Sequence, residues 1–226
     1  GGDGVVVFQY EQPGDAVTVD ADGAVTVSGD VTGNSVTIGA GADSTVNAVT
    51  VHEDGLQRAD GSASAIGGGF TKQGSGKLTI ETDLTHQTSG DADNEVSFTQ
   101  VSAGTLQIGS GADAGTIGSD KITIASGATL RTERTGEFVI DGDIDGGGDV
   151  VKAGTSTLTL GGENTYSGDT TVDAGILKAG SDKTTNSGTF TGGAFGTGLV
   201  TVNDGAELDL NGVIVGNDLN LTGIGV

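Results

Sequence analysis

The stretch GGGDVVKAGTSTLTLGGENTYSGDTTVDAGILKAG, residues 146–180, consists of short runs of Val, Leu, Ile and Thr that glycine interrupts every few residues. Similar runs recur along the chain, as in Val17-Thr18-Val19 and Ile122-Thr123-Ile124. Alternating β-branched and aliphatic residues indicate short strands, and glycine at this frequency prevents the sustained 3.6-residue periodicity of a helix. The sequence therefore predicts an all-β protein with many short strands.

The composition of the 226 residues narrows the class of protein. Glycine supplies 44 residues and cysteine none, so disulfides and thiolate metal sites are excluded. The formal net charge is −22, from 31 acidic and nine basic residues. A field of that sign repels phosphate backbones and argues against nucleic-acid binding. No stretch approaches the roughly 20 apolar residues of a membrane-spanning helix, so we expect no membrane insertion by this chain.

A repeat becomes visible when two glycine triplets are superposed. Residues 67–80, GGGFTKQGSGKLTI, then lie over residues 146–160, GGGDVVKAGTSTLTL, and Lys72 falls on Lys152 with a shift of one position. The match continues in two further pairs of segments, 99–110 over 170–181 and 122–130 over 200–208. The chain therefore contains two related units, each long enough for several strands.

The repeat predicts three parts within one continuous rod. We expect residues 67–145 and 146–226 to be one repeat unit each, and residues 1–66 to hold N-terminal coils. Phe8 and Tyr10 are expected to cover the first coil as a cap. The final TGIGV stands where the glycine triplet of a third unit would begin, which indicates an array that continues in a longer protein.

Stacked coils explain why a chain of small residues repeats in this way. A short strand with one apolar face is stabilised when it pairs with its equivalent one coil away, at about 4.8 Å. A narrow core of this kind accepts aliphatic side chains, and glycine suits its corners. Because parallel crossovers are right-handed in general, we predict a right-handed parallel β-helix. A β-sandwich is the alternative, but it does not predict the internal repeat.

The densest part of the repeat resembles a known family. Residues 143–180 are similar to the passenger-associated repeat of bacterial autotransporters. The matching elements are Lys152-Ala153-Gly154, Thr157–Leu160, Asn164–Gly168, Thr170–Val172 and Gly175–Leu177. The first unit keeps Lys72 but departs at Asn-Thr-Tyr, where LTHQTSG stands, so we expect that corner to differ.

The resemblance implies a passenger domain that is exposed on the surface of a Gram-negative bacterium or secreted from it. It also implies a parent protein with a C-terminal outer-membrane β-barrel. The family implies adhesion to a host-cell or matrix surface, or self-association with like molecules, and no shared catalytic residues. We expect two insertions that break the repeat, near residues 85–95 and 183–198, to contact the partner.

Two alternatives remain open from the residues themselves. A carbohydrate-active β-helix enzyme, such as a polysaccharide lyase or glycosidase, would use paired carboxylates, or a metal and a base. His52 and His86 are the available bases for nucleophilic hydrolysis, and we expect them to face solvent. A purely structural extracellular scaffold with weak calcium binding is the other alternative. Asp141, Asp143 and Asp145 have the alternate spacing of a calcium loop, although no Glu stands at its twelfth position. We therefore predict a non-enzymatic protein with no catalytic, cofactor or metal residues.

Overall fold

All regular elements that the structure describes are β-strands. It is a computed structural model, and it describes residues 4–5, 16–21, 25–27, 31–33, 35–40, 44–46, 49–52, 69–81, 83–87, 98–113, 115–118 and 121–222. In chain order the strands are β1 (Gly4–Val5), β2 (Ala16–Ala21), β3 (Val25–Val27), β4 (Val31–Gly33), β5 (Ser35–Ala40), β6 (Ser44–Val46), β7 (Val49–His52), β8 (Gly69–Gln73), β9 (Lys77–Ile80), β10 (Asp83–Gln87), β11 (Phe98–Val101), β12 (Thr105–Ala112), β13 (Thr116–Ile117), β14 (Lys121–Ile124), β15 (Thr129–Arg134), β16 (Phe138–Ile140), β17 (Asp143–Gly146), β18 (Asp149–Ala153), β19 (Thr157–Leu160), β20 (Thr170–Val172), β21 (Gly175–Ala179), β22 (Thr184–Asn186), β23 (Thr189–Gly192), β24 (Val200–Val202), β25 (Ala206–Asp209) and β26 (Leu219–Leu221).

The strands stack into three faces. Face 1 is a ten-stranded sheet in the order β1-β3-β6-β9-β12-β15-β18-β20-β24-β26, and face 2 is six-stranded in the order β17-β14-β11-β8-β5-β2. Face 3 consists of two four-stranded sheets, β13-β10-β7-β4 and β16-β19-β21-β25. From β2 to β19 the chain visits face 2, face 1 and face 3 in turn, so three successive strands make one coil.

Neighbouring coils pair in parallel on every face. Examples are β11 with β14 on face 2, β15 with β18 on face 1 and β19 with β21 on face 3. Among the described strands, antiparallel pairing joins β22 to β23, which form a separate two-stranded sheet. The predicted class, an all-β protein of the parallel β-helix type, is confirmed. Its right-handed sense stays a prediction.

Aliphatic side chains in register fill the interior. Leu78 pairs with Leu106 and Leu106 with Leu130, and all three side chains are fully buried. Each fully buried leucine contributes roughly 1.5–3 kcal/mol relative to an exposed one. Because the same position recurs one strand spacing away, each coil covers the apolar face of the coil below it. The short apolar runs of the sequence therefore become a continuous core.

The length of a coil varies because some coils carry additions. Leu130 pairs with Val150 and Val150 with Thr170, which gives two coils of 20 residues. Thr170 then pairs with Val200, 30 residues later, because β22 and β23 intervene. A constant coil length is therefore not what fixes the stacking. The register is fixed by the strands and by the corners between them.

The additions share one place in the coil. Residues 53–68 lie between β7 on face 3 and the next strand, and residues 88–97 lie between β10 on face 3 and the next strand. The described addition, β22 with β23, likewise follows β21 on face 3. All three additions therefore begin where the chain leaves face 3.

The two repeat units start on different faces. Lys72 lies on β8 in face 2, whereas Lys152 lies on β18 in face 1. Between these two strands the chain advances by ten strands, which is three coils and one further strand. The second unit is therefore turned by one face relative to the first. The division at residues 1–66, 67–145 and 146–226 stays a prediction.

Face 3 is interrupted between β13 and β16, which belong to separate sheets. The buried guanidinium of Arg134 lies in this region and donates to the carbonyl of Gly115 and, at 3.1 Å, to Oδ1 of Asp113. It also lies 4.6 Å from the ring centre of Phe138, within the range of a cation–π contact. A buried arginine thus supports the coil where strand pairing stops.

Candidate functional site: the repeat corners and the projecting hairpin

Lys152 closes the corner that follows β18. Its Nζ donates to the backbone carbonyls of Ala153 at 2.9 Å, Gly154 at 2.8 Å and Ala174 at 3.0 Å. The side chain is fully buried, and burial lowers the pKa of the Lys152 ammonium to about 8. Because Ala174 belongs to the next coil, one ammonium group joins two stacked corners. It also satisfies carbonyls that strand pairing leaves free at a turn.

Lys72 makes the same set of contacts after β8. Its Nζ donates to the carbonyls of Gln73 at 2.7 Å, Gly74 at 2.7 Å and Ala103 at 3.0 Å. This side chain is also fully buried, and burial lowers its pKa to about 8. We call Lys72 and Lys152 the corner lysines. Superposition of the glycine triplets had paired them, and the structure gives both the same geometry on different faces.

Each corner lysine works beside a glycine of the next coil. Gly175 has φ +68°, and a Cβ there would lie 2.5 Å from the carbonyl oxygen of Ser156 and 2.7 Å from that of Gly154. Gly104 has φ +65°, and its Cβ would lie equally close to the corner that Lys72 closes. A side chain would therefore separate the stacked corners and strain the backbone.

Asn164 and Tyr166 hold the second unit together between β19 and β20. Asn164 Oδ1 accepts from the backbone N–H of Ile144 at 2.8 Å, and its Nδ2 donates to the carbonyl of Ala194 at 2.7 Å. One amide thus connects the coil below with the coil above. The hydroxyl of Tyr166 lies 2.6 Å from Thr170 Oγ1, and burial raises the pKa of Tyr166 well above its usual range.

The first unit lacks this Asn-Thr-Tyr corner, as the sequence predicts. In its place β10 follows β9, and β10 pairs with β7 and β13 on face 3. The second unit has no strand between β19 and β20 and relies on Asn164 there. The two units therefore share the lysine corner and differ in the segment that leads to the next coil, which contains strand β10 in the first unit and the Asn164 corner in the second.

The projecting hairpin, β22 with β23 (Thr184–Gly192), is the described insertion. Its turn contains Ser187 at φ 51° and Gly188 at φ 84°, and two successive positive φ values are typical of the tight turns that suit hairpin twist. Residues 185–189 are exposed. The insertion predicted near residues 183–198 is therefore a short hairpin, with one irregularity in its register at Thr191.

The base of the projecting hairpin is fixed to the coils. Gly193 exchanges two backbone hydrogen bonds with Asn164, at 3.2 and 2.9 Å. The ring of Phe190 packs on Gly216, where a Cβ would lie 2.6 Å from it, and the N–H of Lys183 donates to the carbonyl of Ile214 at 2.8 Å. A deletion that tests the hairpin must therefore spare Gly193.

Two of the three candidate calcium ligands serve other partners. Oδ2 of Asp145 lies 2.8 Å from Nζ of Lys121. Burial by itself would raise the pKa of Asp145. Hydrogen bonds from Lys121 and Thr123, together with the positive charge of Lys121, outweigh burial, so the pKa lies below its usual value. Asp143 Oδ1 accepts from the N–H of Glu163 at 2.8 Å, and Asp141 is exposed after β16. Among the described residues, no group of three His, Cys, Asp or Glu side chains is arranged to hold a metal ion.

The other candidate residues give no catalytic arrangement in the part of the chain that is described. His52 and His86 lie on neighbouring strands, β7 and β10, but their side chains fall outside the described residues. Phe8, Tyr10 and most of the insertion at 85–95 fall outside them too. No helix in the described ranges is long and apolar enough to span a membrane.

Comparison with known proteins matches the parts of the chain that contain the corner lysines. Residues 70–108 and 150–179 match the family described as Passenger-associated-transport-repeat. Two segments of the chain are therefore similar to passenger-associated transport repeats. Over 89 residues it is 39% identical to the Adhesin BmaC autotransporter of Brucella suis biovar 1 (strain 1330). That match covers 38% of this chain and 2% of the relative, and no solved structure matches the chain.

Each matched segment, which we call a transport repeat, is a two-layered piece of the solenoid. The first contains β8 and β9 with β11 and β12, which pair directly above them. The second contains β18 and β19 with β20 and β21, which pair in the same way. The lysine lies at the corner between the two layers. The predicted resemblance to autotransporter passenger repeats is therefore confirmed, and the lysine that both matched segments contain has a structural role.

Proposed function

We propose that this chain is a non-enzymatic segment of a surface-exposed or secreted autotransporter passenger of a Gram-negative bacterium, and that it serves as an adhesive stalk. Two transport repeats and the similarity to a protein named as an adhesin autotransporter support this proposal. Because that relative is far longer than this chain, the parent protein supplies the remaining parts, including the outer-membrane barrel by which passengers are exported.

The stalk function follows from how the coils are joined. Parallel pairing on three faces gives a rod that grows by about 4.8 Å for each coil. The aliphatic core connects successive coils, and the corner lysines and Asn164 add hydrogen bonds between coils within the two transport repeats. A rod of this construction holds whatever it displays at a fixed distance from its anchor. The three predicted parts, 1–66, 67–145 and 146–226, would be sections of one such rod.

The projecting hairpin is the contact element that the structure supports best. It leaves an otherwise parallel solenoid, its residues 185–189 are exposed, and its base is pinned by Gly193 and Phe190. A rigid base reduces the entropy that binding would otherwise cost. We propose that the hairpin contacts a host-cell or matrix surface, or a like molecule.

Shortening the hairpin tests this proposal. We expect replacement of residues 186–189 by Asn-Gly, which keeps Phe190 and Gly193 at the base, to leave the β-rich circular dichroism spectrum unchanged. It should lower adhesion of protein-coated beads about tenfold, which is ~1.4 kcal/mol of binding free energy. Thr155→Ala, at an exposed corner outside the hairpin, is the matched control, and its adhesion should match that of the wild type.

An unchanged adhesion of a folded short-hairpin protein would contradict the contact assignment. The same preparations separate the adhesin from a carbohydrate-active enzyme. Incubation with a panel of polysaccharides should give no unsaturated products by absorbance. Polysaccharide turnover that persists in the short-hairpin variant would show that this protein is a carbohydrate-active enzyme.

A further inference from the structure

The projecting hairpin lies in a long uncharged stretch of a highly charged chain. Residues 184–203 contain no Asp, Glu, Lys or Arg, although the whole chain has 31 acidic and nine basic residues. The hairpin is a two-stranded sheet, so the outer edge of β22 has no strand partner among the described residues. This edge consists of Thr184, Thr185 and Asn186.

Exposed strand edges are ordinarily protected against pairing. Charged side chains, proline and strong bulges are the usual means. β22 has neither charge nor proline, and the one register irregularity of the hairpin leaves out Thr191 of β23 rather than a residue of β22. Threonine favours strand conformation, and the base of the hairpin is already fixed to the rod. An edge of this kind is suited to accept one further strand through its backbone groups. A charged partner strand would find no ion pair there.

We propose that the outer edge of β22 pairs antiparallel with the same edge of a second copy of this chain. The proposal rests on the hairpin being the contact element, and it names the partner. Two rods of net charge −22 repel each other, so copies can approach only through an uncharged part that stands away from the rods. The same strand on the second copy is an uncharged, threonine-rich edge, and two-fold pairing makes it self-complementary.

Antiparallel pairing also keeps the two acidic rods apart. The first and third Cα atoms of a three-residue strand lie about 7 Å apart, and paired strands lie about 4.8 Å apart, so the two hairpin bases at opposite ends are separated by about 8 Å. That separation is about one screening length at physiological salt. The contact area is small, so a single pair is weak, and stable association comes from many copies displayed on one surface.

Cysteine scanning of β22 tests the pairing, because the chain has no cysteine of its own. We use the 226-residue protein with Thr184→Cys, Thr185→Cys or Asn186→Cys, and Thr155→Cys at an exposed corner as the matched control. Around a two-fold axis one residue faces its own copy, at a Cα separation that a disulfide can span. We expect disulfide dimers to form at least tenfold faster at that position than at Thr155→Cys. The rate should rise with added NaCl, because salt screens the repulsion between rods.

Equal rates at the three strand positions and at Thr155→Cys would overturn the inference. If the short-hairpin variant loses adhesion to a host or matrix surface while no position dimerises faster than the control, the hairpin is a contact element for another partner and the inference is wrong. If dimerisation peaks on β22 while that adhesion is unaffected by the short hairpin, self-pairing is supported and the host-contact assignment fails.

Discussion

Lys152→Met is expected to open the second transport repeat locally, lowering its stability by about 2–3 kcal/mol. Methionine keeps the unbranched shape of the side chain but removes the donor to three carbonyls, one in a buried and two in partly buried hydrogen bonds. An unsatisfied buried group costs ~1–3 kcal/mol. Relief from burying an ammonium offsets part of this cost. Lys72→Met should act in the same way on the first repeat.

Hydrogen exchange is the suitable measurement, because stacked coils open locally rather than in one step. Amides of β18, β20 and β21 should exchange roughly 30- to 150-fold faster in Lys152→Met, the equivalent of the expected loss. Lys178→Met is the matched control. Lys178 lies on the outer side of β21, 3.5 Å from Asp209, and a surface ion pair contributes less than about 1 kcal/mol. Equal exchange in the two variants would show that the buried ammonium does not join the corners.

Gly175→Ala is expected to have a similar or larger effect, about 3 kcal/mol or more. The substitution combines a left-handed backbone, which costs roughly 1–2 kcal/mol for alanine, with a Cβ 2.5 Å from a carbonyl oxygen of the coil below. The oxygen belongs to the backbone of Ser156, so relief requires the two corners to separate. Lys152 would then lose its contact with Ala174.

Gly205→Ala is the control that isolates the steric part. Gly205 has φ +78°, but a Cβ there meets nothing within 4 Å. We expect the left-handed backbone alone to lower the stability of this variant, by roughly 1–2 kcal/mol. Chemical denaturation followed by circular dichroism compares the two variants. If they are equally destabilised, close stacking of the corners is not what requires glycine at position 175.

The sequence predicts the equivalence of the corner lysines but not what they do. Superposition of the glycine triplets is sufficient to pair Lys72 with Lys152. Their burial was not predictable, because a lysine next to glycine in an acidic chain is ordinarily solvated. The decisive acceptors, Ala103 and Ala174, lie 31 and 22 residues away in sequence and become neighbours only when the coils stack.

The face on which each repeat lies also cannot be predicted from the sequence. Strand runs such as Leu158-Thr159-Leu160 indicate strands and their apolar side, so the fold class follows from the pattern. Coil length does not, because one coil of 20 residues is followed by one of 30 that contains the hairpin. Local patterns carry no information on how many residues a turn of the solenoid takes.

The spacing of the aspartates suggests a calcium loop, but the structure gives these residues other partners. Asp143 and Asp145 alternate along β17, so strand geometry places them on one side, as a ligand pair would require. Each is engaged by a neighbouring coil instead, Asp145 by Lys121 and Asp143 by the N–H of Glu163. Spacing alone does not reveal such partners.

A single distance tests the stacked-coil architecture most directly. Arg131, Val151, Thr171, Thr201 and Asn220 form one column on face 1, with each residue paired to the next. Spin labels on Arg131→Cys and Asn220→Cys, attached to this cysteine-free chain, should give a narrow distribution at a backbone separation of about 19 Å, four interstrand steps. A broad distribution, or a mean beyond about 30 Å, would contradict the column and with it the coils.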